Sequence, residues 1–205
     1  MFHTLSSLLR CLALAAALLS GGAASAGTIH IAIDTAGLGA ASGYLDMQLS
    51  AGTGVPLATA IISNLSGFDS ASVIESWGVT ALNGGYQFRN DIANDLFHWV
   101  SFGGVLSFDL TFSGEADPLT RYVSHFMISA FDENIAPLGN YNPVSGALAD
   151  FSWTPGLHAQ QPGTIGMAIS DERVSVVPEP ATWMMMALGL MAMTAAARRR
   201  REPDA

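Results

Sequence analysis

Residues 105–112 read VLSFDLTF, and this stretch decides the fold class. Its large apolar side chains recur at every second position, as Leu106, Phe108, Leu110 and Phe112. A period of two predicts a β-strand with one buried face, because successive side chains of a strand point to opposite sides. The sequence around it is then expected to supply partner strands.

The same alternation appears in YLDMQL at 44–49 and in TIHIAI at 28–33. The stretch RYVSHFMISAF at 121–131 is apolar on both faces, which predicts a central strand between covering layers. Shorter apolar runs predict further strands at 58–63, 76–82, 96–102, 165–170 and 174–177.

Glycine-rich turn sequences separate these segments, among them AGLGAASG, SAGTGVP and QQPG. No helical pattern longer than two turns interrupts them, although FRNDIANDLFHW at 88–99 would suit one short helix or a loop. Eight or nine short strands with such turns predict an all-β domain over residues 27–177. We expect a β-sandwich of jelly-roll-like type.

The composition excludes one class of partner and two kinds of cross-link. The 205 residues include eight Arg, no Lys and 17 acidic residues, for a net charge of −9. Such a chain repels phosphate backbones, so nucleic acid is not an expected partner. The single cysteine, Cys11, excludes an intrachain disulfide and a zinc site built from several thiolates.

The first 26 residues have the pattern of a secretory signal peptide. Arg10 precedes an apolar run at 11–19, and Ala24 and Ala26 provide the small residues that signal peptidase requires. Export through the Sec machinery and cleavage after Ala26 are expected. The run is too short for an uncleaved anchor, and Arg10 stands where a lipoprotein signal needs a small residue before Cys11.

The opposite end has the pattern of a membrane span. Residues 181–197 carry no charge and would form a helix about 25 Å long. Trp183 stands at one edge, and a basic cluster stands at the other: Arg198, Arg199, Arg200 and Arg201. The positive-inside rule then places the arginines in the cytoplasm and the domain outside. A buried helix of a soluble domain and a plain tail anchor are the alternatives.

Pro178, Glu179 and Pro180 stand directly before this span. The order Pro-Glu-Pro, apolar span and arginine cluster resembles the PEP-CTERM sorting signal of Gram-negative bacteria. The resemblance divides the C-terminal end into a sorting signal at 178–201 and a tail at 202–205. It implies an inner-membrane precursor that an exosortase, an integral-membrane cysteine peptidase or transpeptidase, cuts near the tripeptide. The domain itself is similar to exported proteins of this kind in SGYLDMQLS, FGGVLSFDLTFSG and SHFMISAFDENIAPL, which implies a β-sandwich without a catalytic motif.

The sequence contains no recognisable catalytic motif. There is no G-x-S-x-G nucleophile motif. The histidines of the domain are dispersed and lack the spacing of zinc ligands: His30, His98, His125 and His158. We therefore predict that the protein is not an enzyme, has no catalytic residues and has no metal site of this type.

Acidic pairs in turns are the remaining candidates for a cofactor. They are Asp91 with Asp95, Glu115 with Asp117, and Asp132 with Glu133. Oxygen ligands on loops suit Ca²⁺, but none of these pairs forms a calcium-loop motif, and acidic residues also favour solvated turns. No cofactor is predicted, with calcium as the alternative. The same carboxylates could form a glycosidase pair, but only their separation could show it.

Two functions follow from these observations. The first is a non-enzymatic, exosortase-sorted protein of the cell surface or extracellular matrix, associated with exopolysaccharide or biofilm. The second is a secreted carbohydrate-binding module or hydrolase that stacks exposed aromatic side chains on sugar rings. The candidate side chains are Trp77, Trp99, Tyr141 and Trp153, of which Trp99 is expected in the core and Trp153 on the surface.

The signal-peptide interpretation predicts the first residue of the exported protein. Cleavage after Ala26 leaves Gly27 at the N-terminus. N-terminal sequencing of the exported form is expected to begin there. Recovery of Met1, or of a lipid-modified Cys11, would contradict this prediction.

Overall fold

Two antiparallel β-sheets form the described part of the chain. The computed structural model describes residues 27–69, 72, 74–159 and 161–178, together with residues 189 and 191. Within 27–178 the described residues form strands and loops and no helix. The all-β prediction is confirmed, and the two sheets agree with the expected sandwich.

The strands follow one another in chain order: β1 (Thr28–Asp34), β2 (Ser42–Leu49), β3 (Ala58–Ser66), β4 (Ile74–Trp77), β5 (Thr80–Leu82), β6 (Gly85–Arg89), β7 (Asp95–Ser101), β8 (Val105–Gly114), β9 (Ser124–Asp132), β10 (Ala149–Thr154), β11 (Thr164–Ile169) and β12 (Val174–Pro178). Sheet A has the order β12-β1-β8-β3-β6-β5, and sheet B has the order β11-β10-β9-β2-β7-β4. All pairings between neighbouring strands are antiparallel.

The apolar face of VLSFDLTF lies in the core as predicted. Leu106, Phe108, Leu110 and Phe112 of β8 are each at most 2% exposed. Sheet B contributes Phe126 of β9, whose ring centroid lies 6.5 Å from that of Phe112. Burial of several aromatic rings and of the aliphatic side chains around them is the main stabilising contribution to the sandwich.

Two strands were missed in the sequence, and one predicted strand is divided. β6 contains a single fully buried large side chain, Phe88. In β10 the period of two rests on Phe151 and Trp153, which both point inward, and it was not recognised after the preceding turn. The run at 76–82 is broken at Gly78, whose φ is +64°. A Cβ at Gly78 would lie 2.0 Å from the carbonyl oxygen of Ala93, so the backbone bends there and changes from sheet B to sheet A.

The stretch 121–131 was predicted to be a central strand covered on both sides. β9 is indeed internal to sheet B, between β10 and β2. Its outward side chains His125, Met127 and Phe131 are half-buried by neighbouring side chains of the same sheet. The covering layer was therefore a wrong inference, because large neighbours on the same face can bury an apolar side chain without another layer of backbone.

The stretch FRNDIANDLFHW forms a strand end, a loop and the start of β7, and two asparagines hold the loop in place. Asn94 is 7% exposed, and its Oδ1 accepts a hydrogen bond from the N–H of Leu49 at 2.7 Å. Its Nδ2 donates to the carbonyl oxygens of Leu49, Arg89 and Ile92, each at 2.9 Å. Asn90 makes a similar set of bonds to Ala58 and Pro56. These amides satisfy backbone groups where the chain crosses between the sheets.

Truncation of Asn94 is expected to destabilise the domain. Asn94→Ala leaves the N–H and C=O of Leu49 without their side-chain partner in a buried place, which we expect to cost about 2–4 kcal/mol of unfolding free energy. The control is Asn134→Ala, in an exposed turn, with an expected change within about 0.5 kcal/mol. Equal denaturant midpoints for the two variants would refute the role given to Asn94.

Candidate functional site

The last strand of sheet A runs into the segment that the sequence singles out. β12 pairs with β1 in a continuous register that extends from Val174 opposite Ile33 to Pro178 opposite Ile29. Pro178, the first residue of the Pro-Glu-Pro tripeptide, is therefore also the last residue of β12. The folded domain and the tripeptide are joined without a linker.

The position of Pro178 in the ladder explains how a proline can end this strand. The N–H of Asp34 donates to the carbonyl of Arg173 at 3.0 Å. Pairs that exchange hydrogen bonds then alternate along the ladder, and the pair Ile29–Pro178 is one that exchanges none. The missing N–H of proline costs no bond to β1, as is usual for a proline in an edge strand.

An ion pair between a buried carboxylate and a partly exposed arginine fixes the start of β12. Asp171 is fully buried, and its carboxylate accepts hydrogen bonds from the N–H of Asn140 at 2.6 Å and from Nη1 of Arg173 at 3.0 Å. Burial alone would raise the pKa of Asp171, but these hydrogen bonds and the Arg173 charge lower it below its usual value. Nε of Arg173 also donates to the carbonyl of Ala36 at 3.3 Å. The turn before β12 is thus tied to the loop after β1.

The first strand of the domain lies beside its last strand. β1 starts at Thr28, and Ile29 lies opposite Pro178. The expected cleavage point after Ala26 is thus near the end of β12 in sheet A. Both predicted processing signals adjoin the same end of one strand pair.

Most of the predicted sorting residues lie outside the described residues. They are Glu179, Pro180, Arg198, Arg199, Arg200 and Arg201, together with Ala24 and Ala26 of the predicted signal peptide. Of the predicted span at 181–197, only 189 and 191 are described. Within the described part of the chain, no helix has the length and apolar character needed to cross a membrane. The boundaries at 26, 177 and 201 stay predictions.

Comparison with known families identifies the C-terminal segment. Residues 176–201 match the family model of the PEP-CTERM protein-sorting motif. The chain carries this sorting motif. The motif implies an exported, membrane-anchored precursor and processing by an exosortase. No curated protein and no solved structure gives a significant match to the chain.

The four histidines of the described domain lie apart from one another. Nδ1 of His30 is 2.7 Å from Asp109, and Nδ1 of His125 is 3.0 Å from Asp150, on the outer faces of different sheets. His98 is buried with Nδ1 2.9 Å from the carbonyl of Trp99, and its burial lowers its pKa. His158 is exposed. No three metal-ligating side chains of the described residues come together.

The predicted acidic pairs accept hydrogen bonds from their own loops in some cases and from other segments in the rest. Asp117 accepts hydrogen bonds from the hydroxyl of Thr120 and from the N–H groups of Leu119, Thr120 and Tyr122. The Thr120 hydroxyl, and then these N–H groups, lower the pKa of Asp117 to about 2. The other members accept bonds as follows: Asp91 from Arg89, Glu115 from Leu57, Asp132 from Asn134 and Ala136, and Glu133 from Ser42.

The aromatic candidates are distributed differently from the prediction. Trp153, expected on the surface, is 3% exposed on the inner face of β10. Trp99, expected in the core, lies half-buried on the outer face of β7. Trp77 is 68% exposed at the edge of sheet B, and Tyr141 is 39% exposed in a loop. At Trp99 the strand was predicted but the side chain occupies its outer face, whereas at Trp153 the strand β10 itself was missed, and the side chain occupies its inner face.

Trp99 belongs to an aromatic group on the outer face of sheet B. The ring of Tyr44 lies edge-on to Trp99 and to Phe97, at centroid distances of 5.0 and 5.7 Å. Phe97 in turn stacks on Phe131 at 5.9 Å. The four rings are not coplanar, and they bury one another's faces. They stabilise the outer surface of the sheet and do not form a flat platform for a sugar ring.

A carboxyl pair that the sequence analysis missed lies on the same face. Asp46 of β2 is 5% exposed. It stands opposite Phe97 of β7, and Asp95 lies two residues before Phe97 on the same strand. The Oδ1 atoms of Asp46 and Asp95 are buried without another hydrogen-bond partner, and the two carboxyl groups bond to each other. Such a bond requires one proton. Burial first, and then the bond and the charge of Asp95, raise the pKa of Asp46 to about 8.

Two clefts open at the surface of the sandwich. One, of about 490 Å³, lies between the sheets and is lined by Phe68, Ile74, Tyr86 and His98, among others. The other, of about 400 Å³, lies beside Trp153 and is lined by Glu115, His158 and Gln161, among others. Nε1 of Trp153 is buried and has no hydrogen-bond partner. The second cleft therefore combines a carboxylate with the polar side chains of His158 and Gln161, whereas the indole nitrogen of Trp153 is covered.

The Asp46–Asp95 pair predicts a dependence of stability on pH. Because the folded state holds a proton on Asp46 that the unfolded state releases near pH 4, the contribution of this group to stability is highest at low pH. It should fall as the pH rises toward about 8, by at most about 1.4 kcal/mol per pH unit from this group. Asp46→Asn, whose amide can donate to Asp95 at any pH, should abolish this contribution.

The measurement is the unfolding free energy of the exported domain between pH 5 and pH 8. The matched control is Asp91→Asn, because Asp91 is exposed and its pKa is lowered by the adjacent Arg89. The control is expected to keep the slope of the wild type, whereas Asp46→Asn is expected to flatten it. If all three proteins lose stability in parallel over this range, the shared proton is not there.

Proposed function

We propose that this protein is an exported, exosortase-sorted and non-enzymatic protein of the cell envelope or extracellular matrix, associated with exopolysaccharide or biofilm. The observation that carries the proposal is the sorting motif at 176–201, which begins inside the last strand of the sandwich. In this arrangement the folded domain is the part that is exported, and the C-terminal segment is its sorting signal.

Several features of the domain support a structural role over catalysis. The histidines are separated, and carboxylates of the predicted pairs accept hydrogen bonds from groups of the domain itself. Asp46 is 5% exposed, so the Asp46–Asp95 pair is closed to a sugar substrate. We propose that the domain acts without a catalytic site and without a resident cofactor. Calcium at the acidic turns is the alternative to this last point.

The order of the strands supports the jelly-roll-like form of the fold. In sheet A, β8 lies between β1 and β3, and β3 pairs with β6. In sheet B, β7 pairs with β2 and β4. β1 thus pairs with β8, β2 with β7, and β3 with β6. The first strands pair with the last ones in reverse order, as in a jelly roll. β9, β10 and β11 extend sheet B, and β12 extends sheet A.

The acidic character of the chain is consistent with a location outside the cell. With a net charge of −9, the chain is repelled by nucleic acid and by anionic lipid headgroups. We propose that the precursor is held in the inner membrane by residues 181–197 and that the processed form is found at the cell surface or in the matrix.

A carbohydrate-binding role is the second candidate, and the cleft beside Trp153 favours it. His158 and Gln161 line this cleft and can donate to a hydroxyl, and Glu115 can accept from one. Mixed donors and acceptors next to an aromatic ring suit a neutral sugar. Retention of an oligosaccharide by the purified domain is the measurement that separates this candidate from a purely structural role.

The sorting proposal predicts the effect of a single substitution. Glu179→Ala leaves the length of the apolar span and the arginine cluster intact, so insertion into the membrane should not change. It removes the one charged side chain of the tripeptide, and we expect at least a tenfold accumulation of uncleaved precursor in an exosortase-bearing host. Intact-mass spectrometry of wild type and variant reports the cut.

The matched control is Glu172→Ala, seven positions earlier in an exposed turn, and it should be processed like the wild type. The wild-type product should lack residues 183–205. Wild-type protein that keeps its full tail in the membrane of such a host would favour a plain anchor and would overturn the proposal.

A further inference from the structure

The sorting motif and the fold share part of the backbone. The matched residues begin at 176, whereas β12 ends at Pro178. Three residues, Val176, Val177 and Pro178, therefore belong both to sheet A and to the motif. This overlap follows from the register of β12 on β1 and is not visible in the sequence.

The shared residues are engaged in the sheet. Val176 stands opposite Ile31, which is completely buried, and it packs against the core. Val177 stands opposite His30 in one of the pairs that exchange hydrogen bonds with β1. Two residues before them, Val174 is 4% exposed. In the folded domain the backbone of this strand is paired with β1, and its inward side chains pack against the core.

A peptidase binds its substrate as an extended chain, and it recognises the backbone groups that a sheet also uses. The N–H and C=O of Val177 cannot bond to β1 and to an enzyme at the same time. β12 is nevertheless the outermost strand of sheet A among the described residues, and it is only five residues long. Edge elements of this kind open locally without unfolding of the whole domain.

We propose that β1 and the sorting enzyme compete for Val176–Pro178, so that β12 must leave sheet A for the tail to be cut. The inference rests on the proposed sorting by an exosortase. Docked β12 protects the N-terminal part of the motif, and the opening of this strand limits the rate of processing. After the cut, the strand returns to β1 and closes the sandwich.

A disulfide between β1 and β12 tests the competition directly. Ile31 and Val176 form a pair that exchanges no hydrogen bonds, so their Cα atoms are about 4.5 Å apart, within the range of a disulfide. In the double variant Ile31→Cys with Val176→Cys the bond can form in the oxidising compartment. Cys11, the one cysteine of the sequence, lies in the predicted signal peptide and should not interfere.

The control lock joins β1 to its other neighbour. Thr28 and Thr111 stand opposite each other on β1 and β8, with their hydroxyl oxygens 2.8 Å apart. The double variant Thr28→Cys with Thr111→Cys places a comparable cross-link on β1 and leaves β12 free. A third variant, Val174→Ala, loosens β12 without changing a residue of the matched motif, and its control is Val144→Ala at a position that is 94% exposed.

The readout is the rate of tail removal in an exosortase-bearing host, followed by pulse-chase and intact mass. We expect the β1–β12 lock to slow processing at least tenfold, and added reductant to restore the rate of the same variant. The β1–β8 lock and Val144→Ala should match the wild type, and Val174→Ala should be processed faster. An oxidised β1–β12 lock that is cut at the wild-type rate would overturn the competition alone. A wild-type chain that is never cut would overturn the sorting itself.

Discussion

The pairing of β1 on both of its edges is the constraint on which the described structure depends. On one side β1 pairs with β8, the strand with four core side chains, and on the other it pairs with β12. Ile31 and Ile33 of β1 are completely buried between these neighbours. The strand that follows the predicted signal peptide thereby holds the strand that precedes the apolar tail. β12, β1 and β8 are thus consecutive strands of sheet A.

Buried polar side chains fix the loops of this domain, as disulfide bonds do in many exported domains. Asn90 and Asn94 hold the crossing between the sheets, Asp117 holds the loop before β9, and Asp171 holds the turn before β12. Each satisfies backbone N–H groups that would otherwise be buried without a partner. These residues determine the paths of the loops, whereas the apolar side chains provide most of the stabilising free energy.

The outer face of sheet B combines two features with opposite consequences. The ring contacts among Tyr44, Phe97, Trp99 and Phe131 reduce the exposed apolar area and stabilise the sheet. The carboxyl pair of Asp46 and Asp95 stabilises it only while one proton is shared, because two ionised carboxylates at that distance repel each other. The sandwich is therefore expected to be more tolerant of mild acid than of mild base.

The sequence by itself determined the features that depend on local order along the chain. The alternation in VLSFDLTF placed Leu106, Phe108, Leu110 and Phe112 in the core, and the order of Pro-Glu-Pro, apolar span and arginines identified the sorting motif. The tertiary structure decided what depends on register: the meeting of Asp46 with Asp95, the burial of Trp153, and the overlap of the motif with β12. A shift of one residue between two strands exchanges the faces of every side chain, and single-sequence periodicity does not fix that shift. Contacts between distant strands are therefore set by packing of the whole sandwich.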